Sequence, residues 1–415
     1  MILKRKALSV FISTASLTLI RFLRGLGNLI VYPFIVASFG YELLGIFIVW
    51  YSVASGVGRL LTLGSSQAGF RDIGLVQNQE KLSKLYSLRL ILSLIVVISA
   101  GIFITLLDSI PSYLIFLLPV ILLGLADGPE WVANNKGQVE KLAIIKSVCF
   151  ILFVGIKIWV LLNLADIVWF YFIVSLEAVI FLIIPYFFFP MKIQMFSKNE
   201  ITLILKLRRN LVYDNFFQML KPRLDTWLVS FLYGPAIAGS YGFARQILYS
   251  ILIPAVAFTS ITLRTSDNLS NHHFTKDYIP KGMKTMIPYW IYGVGMTIII
   301  ALSSLIASLI FVDVNIPFYW VAVGSFIILP MAITAGILRS CLIKEYYDLI
   351  LQNNILFCLL LLSGSMGFWW LNPIKDFIEL QIFAPLILTA FITAYIFFIK
   401  FYSKQNLKEG GSFGY

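Results

Sequence analysis

Two arginines stand inside an apolar stretch that is long enough to cross a membrane. Arg21 and Arg24 lie in the run from 7 to 39. A charged side chain at the bilayer centre costs about 2.5 to 3.5 kcal/mol on insertion scales, so it normally faces protein or a water-filled cavity. Their spacing of three residues places both on one helix face, and Asn28 continues that face one turn later. These residues predict a site for a negatively charged ligand.

More cations follow at membrane depth. Depth can be counted along a helix, which rises about 1.5 Å per residue. Counting from a turn near Tyr41 places Arg24 and Arg59 at similar depth. Guanidinium groups match phosphate oxygens with two parallel hydrogen bonds, which favours a phosphate ligand. The alternative is that these side chains reach the inner interface or pair with acids. The candidate substrate-binding residues are Arg21, Arg24, Asn28, Arg59, Lys157, Lys221 and Arg223.

Two acids are predicted to pair with cations across helix hairpins. Asp225 and Arg245 lie at similar distances from a turn near residue 236. Lys157 and Glu177 stand similarly about a turn near residue 165. Pairing is how buried charges are tolerated in a membrane, so structural salt bridges are the default interpretation, with ion coupling or substrate binding as the alternative.

Two further acids, Asp127 and Glu130, flank the Gly128-Pro129 dipeptide. Acids at a helix break are suited to binding a proton or cation, although such acids also occur simply where a helix meets water. The candidate ion-coupling residues are Asp127, Glu130, Glu177 and Asp225.

The stretch 208–232 is the least apolar of the predicted spans. Four of its polar residues share one helical face, which is typical of the wall of a wet cavity: Asp214, Gln218, Lys221 and Asp225. Arg223 is predicted to point away from that face, and Pro222 is predicted to kink or loosen the helix.

The composition is that of a polytopic all-α membrane protein. The chain has 415 residues, of which 60% are hydrophobic and 13% charged, and a helix needs about 20 apolar residues to cross the hydrocarbon. The sequence predicts twelve spans: 8–38, 43–65, 85–107, 112–133, 143–163, 168–190, 208–232, 238–262, 285–311, 317–339, 347–371 and 381–402.

The basic residues predict the orientation. With the N-terminus in the cytoplasm, the inside segments hold 22 of the 32 Lys and Arg residues, and the outside loops hold Lys375 alone. Cytoplasmic loops collect Lys and Arg, so both termini are expected in the cytoplasm. The outside loops are too short for an external domain.

A weak internal repeat predicts two halves of equal orientation. Phe39-Gly40 and Gly45-x-Phe47 match Tyr233-Gly234 and Gly239-x-Tyr241, at one constant offset along the chain. An even number of spans per half gives two parallel six-helix bundles. The predicted organisation is an N-terminal bundle (1–190), a cytoplasmic linker (191–207), a C-terminal bundle (208–402) and a disordered cytoplasmic tail (403–415).

Enzyme and metal signatures are missing from the sequence. The three cysteines and two histidines form no ligand spacing, there is no phosphate-binding loop or nucleophile elbow, and the basic residues are too scattered for a nucleic-acid face. The sequence therefore predicts a protein that is not an enzyme, needs no cofactor and binds no nucleic acid.

Two helix-turn-helix stretches carry a family resemblance. They are Phe39 through Phe47 with the following Leu63-Gly-Ser-Ser, and Arg223-Leu-Asp225 through Ala244. With the length, span count and charge placement, they make the chain similar to the Wzx-type flippases of lipid-linked O-antigen repeat units. These belong to the multidrug/oligosaccharidyl-lipid/polysaccharide exporter superfamily.

The resemblance implies a MATE-like pair of six-helix bundles around a cationic cavity in the bacterial inner membrane. It implies movement of undecaprenyl-pyrophosphate-linked oligosaccharide from the inner to the outer leaflet. Arg21, Arg24, Arg59 and Lys157 stand where cavity cations are expected. The implied partners are the lipid-linked oligosaccharide, membrane lipids, a polysaccharide polymerase and a chain-length regulator.

Three other classes of protein are compatible with parts of this pattern. A drug or cation exporter of the same fold would rely on membrane carboxylates instead of arginines. A peptidoglycan-precursor flippase typically has fourteen spans. A membrane glycan polymerase or ligase would be an enzyme with a large external loop.

Overall fold

The computed structural model is helical, as the long apolar stretches require: in lipid, every backbone polar group must be bonded within its own segment. Within the described residues there is no strand. The structure describes residues 2–63, 79–107, 111–136, 138–164, 166–194, 209–270, 287–310, 318–343, 346–371 and 378–410.

The helices are numbered in chain order. Those before the long undescribed segment 195–208 are α1 (Ile2–Leu60), α2 (Gln79–Leu106), a 3₁₀ helix (Ser112–Asp127), α3 (Gly128–Asn135), α4 (Val139–Asn163) and α5 (Ile167–Phe188). Those after it are α6 (Arg209–Tyr233), α7 (Pro235–Ser270), α8 (Ile287–Ile310), α9 (Phe318–Gly324), a 3₁₀ turn (Ser325–Ile327), α10 (Ile328–Ile343), α11 (Tyr347–Leu371) and α12 (Ile378–Gly410).

Helical structure occupies each of the twelve stretches in which the sequence predicts a span. Among the described residues, nine helical stretches are long and apolar enough to cross a membrane, and the first of them covers Leu26–Leu60 as one stretch. The multi-pass, all-α class is confirmed, while the count of twelve spans stays a prediction. The last helix continues to Gly410, beyond Ser403, where the sequence predicts a disordered tail to begin.

Large apolar side chains face outward over the surface of these helices. Leu106, Phe231 and Trp370 are 75%, 80% and 81% exposed, and many Ile, Leu and Phe side chains share this exposure. In water such a surface would be a large apolar patch of the kind that drives association. In a bilayer it faces lipid, which agrees with a multi-pass membrane protein.

A glycine divides α1 into two arms, residues 2–39 and 41–60. Gly40 has φ 78° and ψ 175°, a conformation that residues with a Cβ rarely adopt. Gly234, which separates α6 from α7, has φ 89°. These two glycines are separated by the offset of the internal repeat and mark the two hairpin turns that the repeat predicts to correspond.

The residues after these turns also pack reciprocally. A Cβ on Gly45 would overlap the carbonyl oxygen of Pro235, and a Cβ on Gly239 would overlap that of Tyr41. Gly45 and Gly239 are themselves counterparts in the repeat. Helices in membranes associate through such close backbone approach, because lipid supplies no hydrophobic driving force between them.

The chain forms two compact units. The first unit comprises Leu19–Arg223 and Tyr233–Gly239, and the second comprises Met1–Thr18, Leu224–Leu232 and Ser240–Tyr415. An aromatic cluster lies in the first unit, where Phe47 packs edge-on against Phe170 and Tyr171, with ring centroids 5.1 and 5.7 Å away.

The core of the second unit joins α10, α11 and α12. Ile337, Ile350 and Phe397 are buried there. Gly324 has no room for a Cβ because the ring of Phe383 lies against it, and that ring also packs on Tyr241 at 5.2 Å.

Candidate functional site

Polar side chains line the packing of the second arm of α1 against the first half of α6, all within the first unit. We call this set the α1–α6 seam. It comprises Ser52, Ser55, Arg59, Thr62, Asp214, Asn215, Gln218, Met219, Lys221 and Arg223. It contains three of the sequence-predicted substrate-binding residues: Arg59, Lys221 and Arg223.

The side chain of Arg59 enters a short polar chain on α6. Its Nη2 donates to Oε1 of Gln218 at 3.3 Å, and Nε2 of Gln218 donates to Oδ2 of Asp214 at 2.7 Å. Asp214 is buried and Arg59 is half-buried. A guanidinium in this position keeps its charge, because arginine is not deprotonated in proteins.

The backbone of Arg59 is fixed as well. Its carbonyl oxygen accepts from Nδ2 of Asn215 at 2.8 Å and from Oγ1 of Thr62 at 2.7 Å. The last carbonyls of a helix lack intrahelical donors, and α1 ends at Leu60. Asn215 and Thr62 therefore cap this end and hold Arg59 in place.

The side chain of Arg223 contacts the second arm of α1 beside Gly56. Its Nε donates to the carbonyl oxygen of Ser52 at 2.9 Å, and its Nη2 donates to Oγ of Ser55 at 3.2 Å. A third bond joins Nη1 to the carbonyl oxygen of Met219 at 2.9 Å. A Cβ on Gly56 would lie 3.2 Å from both Cδ and Nε of Arg223, so glycine there makes room for the guanidinium.

Two predictions about α6 are wrong. Arg223 does not point away from Gln218, because both side chains bond to the second arm of α1. Asp214 and Asp225 are only 5% and 4% exposed, so they do not wall an open wet cavity. α6 continues as one helix through Pro222, and the predicted kink or loosening there stays a prediction.

The remaining candidate cations are placed as follows. Lys221 is half-buried on α6, and Asn28 is half-buried on the first arm of α1. The backbone of Arg21 and Arg24 is helical, but their side chains lie outside the described residues. The predicted Arg24–Arg59 cluster therefore stays a prediction.

The two hairpin ion pairs predicted from the sequence are confirmed. Lys157 of α4 pairs with Glu177 of α5, within the first unit. In the second unit, Nε of Arg245 lies 2.5 Å from Oδ2 of Asp225. Lys157 and Asp225 are both buried, so the pairing offsets the cost of burying these charges.

The carboxylate of Asp225 is fully bonded. Oδ2 also accepts from the hydroxyl of Tyr241 at 2.7 Å. Oδ1 accepts from the backbone nitrogen and the hydroxyl of Thr226 at 2.7 and 3.3 Å. The ring of Tyr249 lies 4.2 Å from the Arg245 guanidinium, so both charges of this pair have further partners.

Asp127 and Glu130 each form an ion pair with a basic residue. The sequence did not lead us to either basic partner. Nη2 of Arg89 lies 2.8 Å from Oδ1 of Asp127, and Nζ of Lys146 lies 2.7 Å from Oε1 of Glu130. Arg89 also donates to the carbonyl of Gly124. The 3₁₀ helix ends at Asp127 and α3 begins at Gly128, which has right-handed helical dihedral angles, so the helix break expected at Gly128-Pro129 is a change of helix type.

A simple signal was present for both missed pairs. Residues equidistant from a hairpin turn meet across it. The residue numbers of Arg89 and Asp127 centre on 108, which lies in the connection between α2 and the 3₁₀ helix; those of Glu130 and Lys146 centre on 138, just before α4. The counting that found Lys157–Glu177 and Asp225–Arg245 therefore also applies to these pairs.

No group of three or more His, Cys, Asp or Glu residues within the described part of the chain is arranged to hold a metal ion. The described side chains thus offer a cationic seam and four buried acid–base pairs. A cationic seam is suited to binding an anion.

Comparison with solved structures identifies the fold. Over 96% of this chain and 99% of the other, it is similar to an inward-facing multidrug resistance MATE family transporter of the MOP superfamily, with a TM-score of 0.67 and 12% identity. A MATE structure in a straight conformation matches over 97% of this chain and 96% of its own, with a TM-score of 0.65 and 14% identity.

A further similar structure is a MOP superfamily transporter of another description. A MOP superfamily transporter from Pyrococcus furiosus, described as having a pocket of reverse polarity that suggests a different function, matches over 96% of each chain, with a TM-score of 0.62 and 13% identity. No protein-family model and no curated protein matches this sequence. The chain thus has the fold of MATE transporters.

Proposed function

We propose that this chain is a flippase that moves an undecaprenyl-pyrophosphate-linked oligosaccharide from the cytoplasmic to the outer leaflet by alternating access. The observation that carries the proposal is the α1–α6 seam, where Arg59, Lys221 and Arg223 are held half-buried in a membrane protein. The lipid carries an anionic pyrophosphate, a polar glycan and a long apolar tail.

The seam suits the pyrophosphate in particular. Hydrogen bonds from ionised donors to anionic oxygens are about twice as strong as neutral ones. They are also screened less where the groups are partly buried. Capping by Asn215 and Thr62 fixes the Arg59 backbone in advance, which reduces the entropy lost on binding. A few such contacts favour binding and still permit release.

The fold supports the movement. One of the similar MATE structures is in an inward-facing state, and others are described as straight and bent. A chain of this fold is suited to opening its charged site to one side of the membrane and then the other. The apolar exterior leaves the lipid tail in the bilayer while the headgroup crosses.

Export of cationic drugs by the same fold is the main competing proposal. Such a transporter needs membrane carboxylates that are available to the drug. Asp127, Glu177 and Asp225 are each bonded to a basic side chain instead. Asp214 in the seam is buried and accepts from Gln218, which also accepts from Arg59. This arrangement favours an anionic substrate over a cationic one.

The cell context follows from the same proposal. The chain would act in the inner membrane of a bacterium with both termini in the cytoplasm. It would deliver the lipid-linked oligosaccharide to a polysaccharide polymerase and a chain-length regulator. A peptidoglycan precursor carries the same pyrophosphate and is the nearest alternative cargo, whereas a polymerase activity would require catalytic residues outside the membrane.

Reconstituted liposomes provide the direct test. Purified protein should move a fluorescent pyrophosphate-linked oligosaccharide between leaflets, measured as loss of fluorescence when a membrane-impermeant quencher is added. The matched neutral cargo, with the same glycan and lipid joined by an ether, should move far more slowly. Efflux of a cationic dye without movement of the glycolipid would overturn the proposal in favour of drug export.

A further inference from the structure

The ion pair between Arg89 and Asp127 differs from the other buried pairs in its bonding. Arg89 is wholly buried, and its Nη2 supplies both of its bonds, to Gly124 and to Oδ1 of Asp127. Its Nε and Nη1 atoms and Oδ2 of Asp127 are buried and make no hydrogen bond. Buried polar atoms are hydrogen-bonded in the large majority of cases. This cluster is therefore unusual in having buried donors and an acceptor that could each form a further hydrogen bond.

Among the four acids of the described pairs, Asp127 is the one with a buried oxygen that makes no hydrogen bond. Both oxygens of Asp225 accept hydrogen bonds. Glu177 bonds to Lys157, and Glu130 bonds to Lys146. A proton can bind Oδ2 of Asp127 while Oδ1 keeps the bond from Arg89.

The surroundings of Asp127 are ionisable on several sides. The groups near it are Arg89 and Tyr86 from α2, Glu130 from α3 and Lys146 from α4, and Tyr186 from α5 lies near Tyr86. The ring of Trp131 covers the Arg89 guanidinium at 5.2 Å. Glu130 is 23% exposed, so it joins this cluster to the surface of the protein. Transfer of one proton from hydronium forms an O–H bond on Oδ2, leaves a water molecule and converts the neutral Arg89–Asp127 pair into a singly positive one.

A direct backbone contact links this cluster to the seam. Gly124, whose carbonyl accepts from Arg89, packs against the backbone of Gly58. A Cβ on Gly124 would overlap the carbonyl oxygen of Gly58. Gly58 immediately precedes Arg59. In turn, a Cβ on Gly58 would overlap the carbonyl of Ile121. A shift of the 3₁₀ helix is therefore transmitted to the backbone that carries Arg59.

We propose that Asp127 is the proton-binding site of this protein, and that its protonation moves the 3₁₀ helix against Gly58 and so repositions Arg59. The inference rests on the proposed function for its role in transport. Proton binding itself does not depend on the cargo. The same geometry gives Arg89 a positioning role, because it joins Asp127 to Gly124.

Infrared difference spectroscopy tests the proton site on the full chain in liposomes without any cargo. Lowering the pH should produce the carbonyl stretch of a protonated carboxyl group. The band should disappear in Asp127→Asn and persist at a shifted position in Asp127→Glu, which also shows that the site still folds. Glu140→Gln is the matched control, since it removes an exposed acid of α4 in the same unit, and the band should remain.

Hydrogen exchange tests the link to the seam. Across the same pH interval, exchange of backbone amides at 55–62 should change in the wild type and stay constant in Asp127→Asn. The proposal is overturned by a band that survives in Asp127→Asn, by one that is lost only in Glu130→Gln, or by no band at all. Failure of glycolipid movement in the quenching assay would leave this titration unaffected, so the two proposals fail separately.

Discussion

Gly45 and Gly239 occupy equivalent positions in the internal repeat. Each packs against the backbone of the other's helix so closely that a Cβ atom on either glycine would overlap that backbone. Gly45 meets the carbonyl of Pro235, and Gly239 meets that of Tyr41. The contact is reciprocal, so it has a local two-fold relationship. The same offset relates Gly40 and Gly234, the two glycines with positive φ in the described chain. A duplicated hairpin explains both observations.

Substitution of these contact glycines is expected to destabilise the fold. In Gly45→Ala the added methyl group would overlap backbone, which cannot move as a side chain can. Overpacking typically costs about 1–3 kcal/mol. The melting temperature of the purified protein should fall, and the monodisperse fraction on size exclusion should decrease.

Gly155→Ala is the matched control, because nothing lies within 4 Å of its Cβ position on α4. Alanine has a higher helix propensity than glycine by about 1 kcal/mol, so this variant should melt at the wild-type temperature or higher. Equal melting of the two variants would show that the Gly45 contact does not exist in the folded protein.

The distribution of basic residues predicts the topology. A topology reporter fused after Tyr415 should report a cytoplasmic location. Reporters fused at Ser109, Pro235 and Asn315 should report a location outside the cytoplasm. The reason is the excess of Lys and Arg in the inside segments. A C-terminus that reports outside would reject the twelve-span arrangement, even though the fold itself would remain.

Hairpin geometry explains which contacts were predictable. Two antiparallel helices joined by a short turn bring equidistant residues to equal depth, so Asp225 could be matched with Arg245, and Lys157 with Glu177, from residue numbers alone. Arg89 and Lys146 obey the same rule. They were missed because Asp127 and Glu130 were interpreted either as a proton or cation site or as a helix end meeting water, and neither interpretation requires a basic partner.

The seam could not be predicted in this way. Gln218 lies 159 residues from Arg59, and Ser52 lies 171 residues from Arg223. No turn fixes the register between such distant segments. Their pairing depends on how whole helices pack, which is set by close contacts such as those of Gly56 and Gly58. Sequence periodicity identified the charged residues but not their partners.

Breaking the Asp225–Arg245 pair is expected to be costly. Asp225→Ala leaves a largely buried guanidinium without its carboxylate and removes the acceptor of the Tyr241 hydroxyl. Loss of one partner of a buried pair costs about 3–5 kcal/mol. Thermal unfolding in detergent should show a large decrease in melting temperature.

The double variant Asp225→Leu with Arg245→Met distinguishes charge from packing. Replacing a buried pair with apolar residues is often close to neutral, so most of the lost stability should return. If the double variant is as unstable as Asp225→Ala, the cluster contributes through its shape and hydrogen bonds, and the charge argument is wrong.

The sequence predicts Arg24 as a residue that binds the pyrophosphate. Arg24→Ala should abolish movement of the pyrophosphate-linked oligosaccharide while membrane insertion stays intact. Arg24→Lys should restore it only in part, because a point charge lacks the two-pronged match of a guanidinium to phosphate oxygens. Normal movement by Arg24→Ala would remove Arg24 from the site and leave the α1–α6 seam to supply the charge.

Arg223 gives the sharpest test of the seam, because its three described bonds hold the guanidinium at a known place on α1. Hydrogen bonds to charged groups contribute about 1.5–3 kcal/mol each. If Arg223 binds the pyrophosphate, Arg223→Ala should therefore slow movement of the anionic cargo by about ten- to hundredfold. Arg223→Lys keeps the charge but cannot reproduce all three bonds, so its transport rate should lie between those of the wild type and Arg223→Ala.

Lys400→Ala is the matched control for Arg223, because it removes one positive charge from an exposed residue that bonds Gln352. It should transport at the wild-type rate. The melting temperature of each variant separates lost binding from lost folding. A folded Arg223→Ala protein that moves the glycolipid as fast as Lys400→Ala would show that the seam is structural and that the anion binds elsewhere.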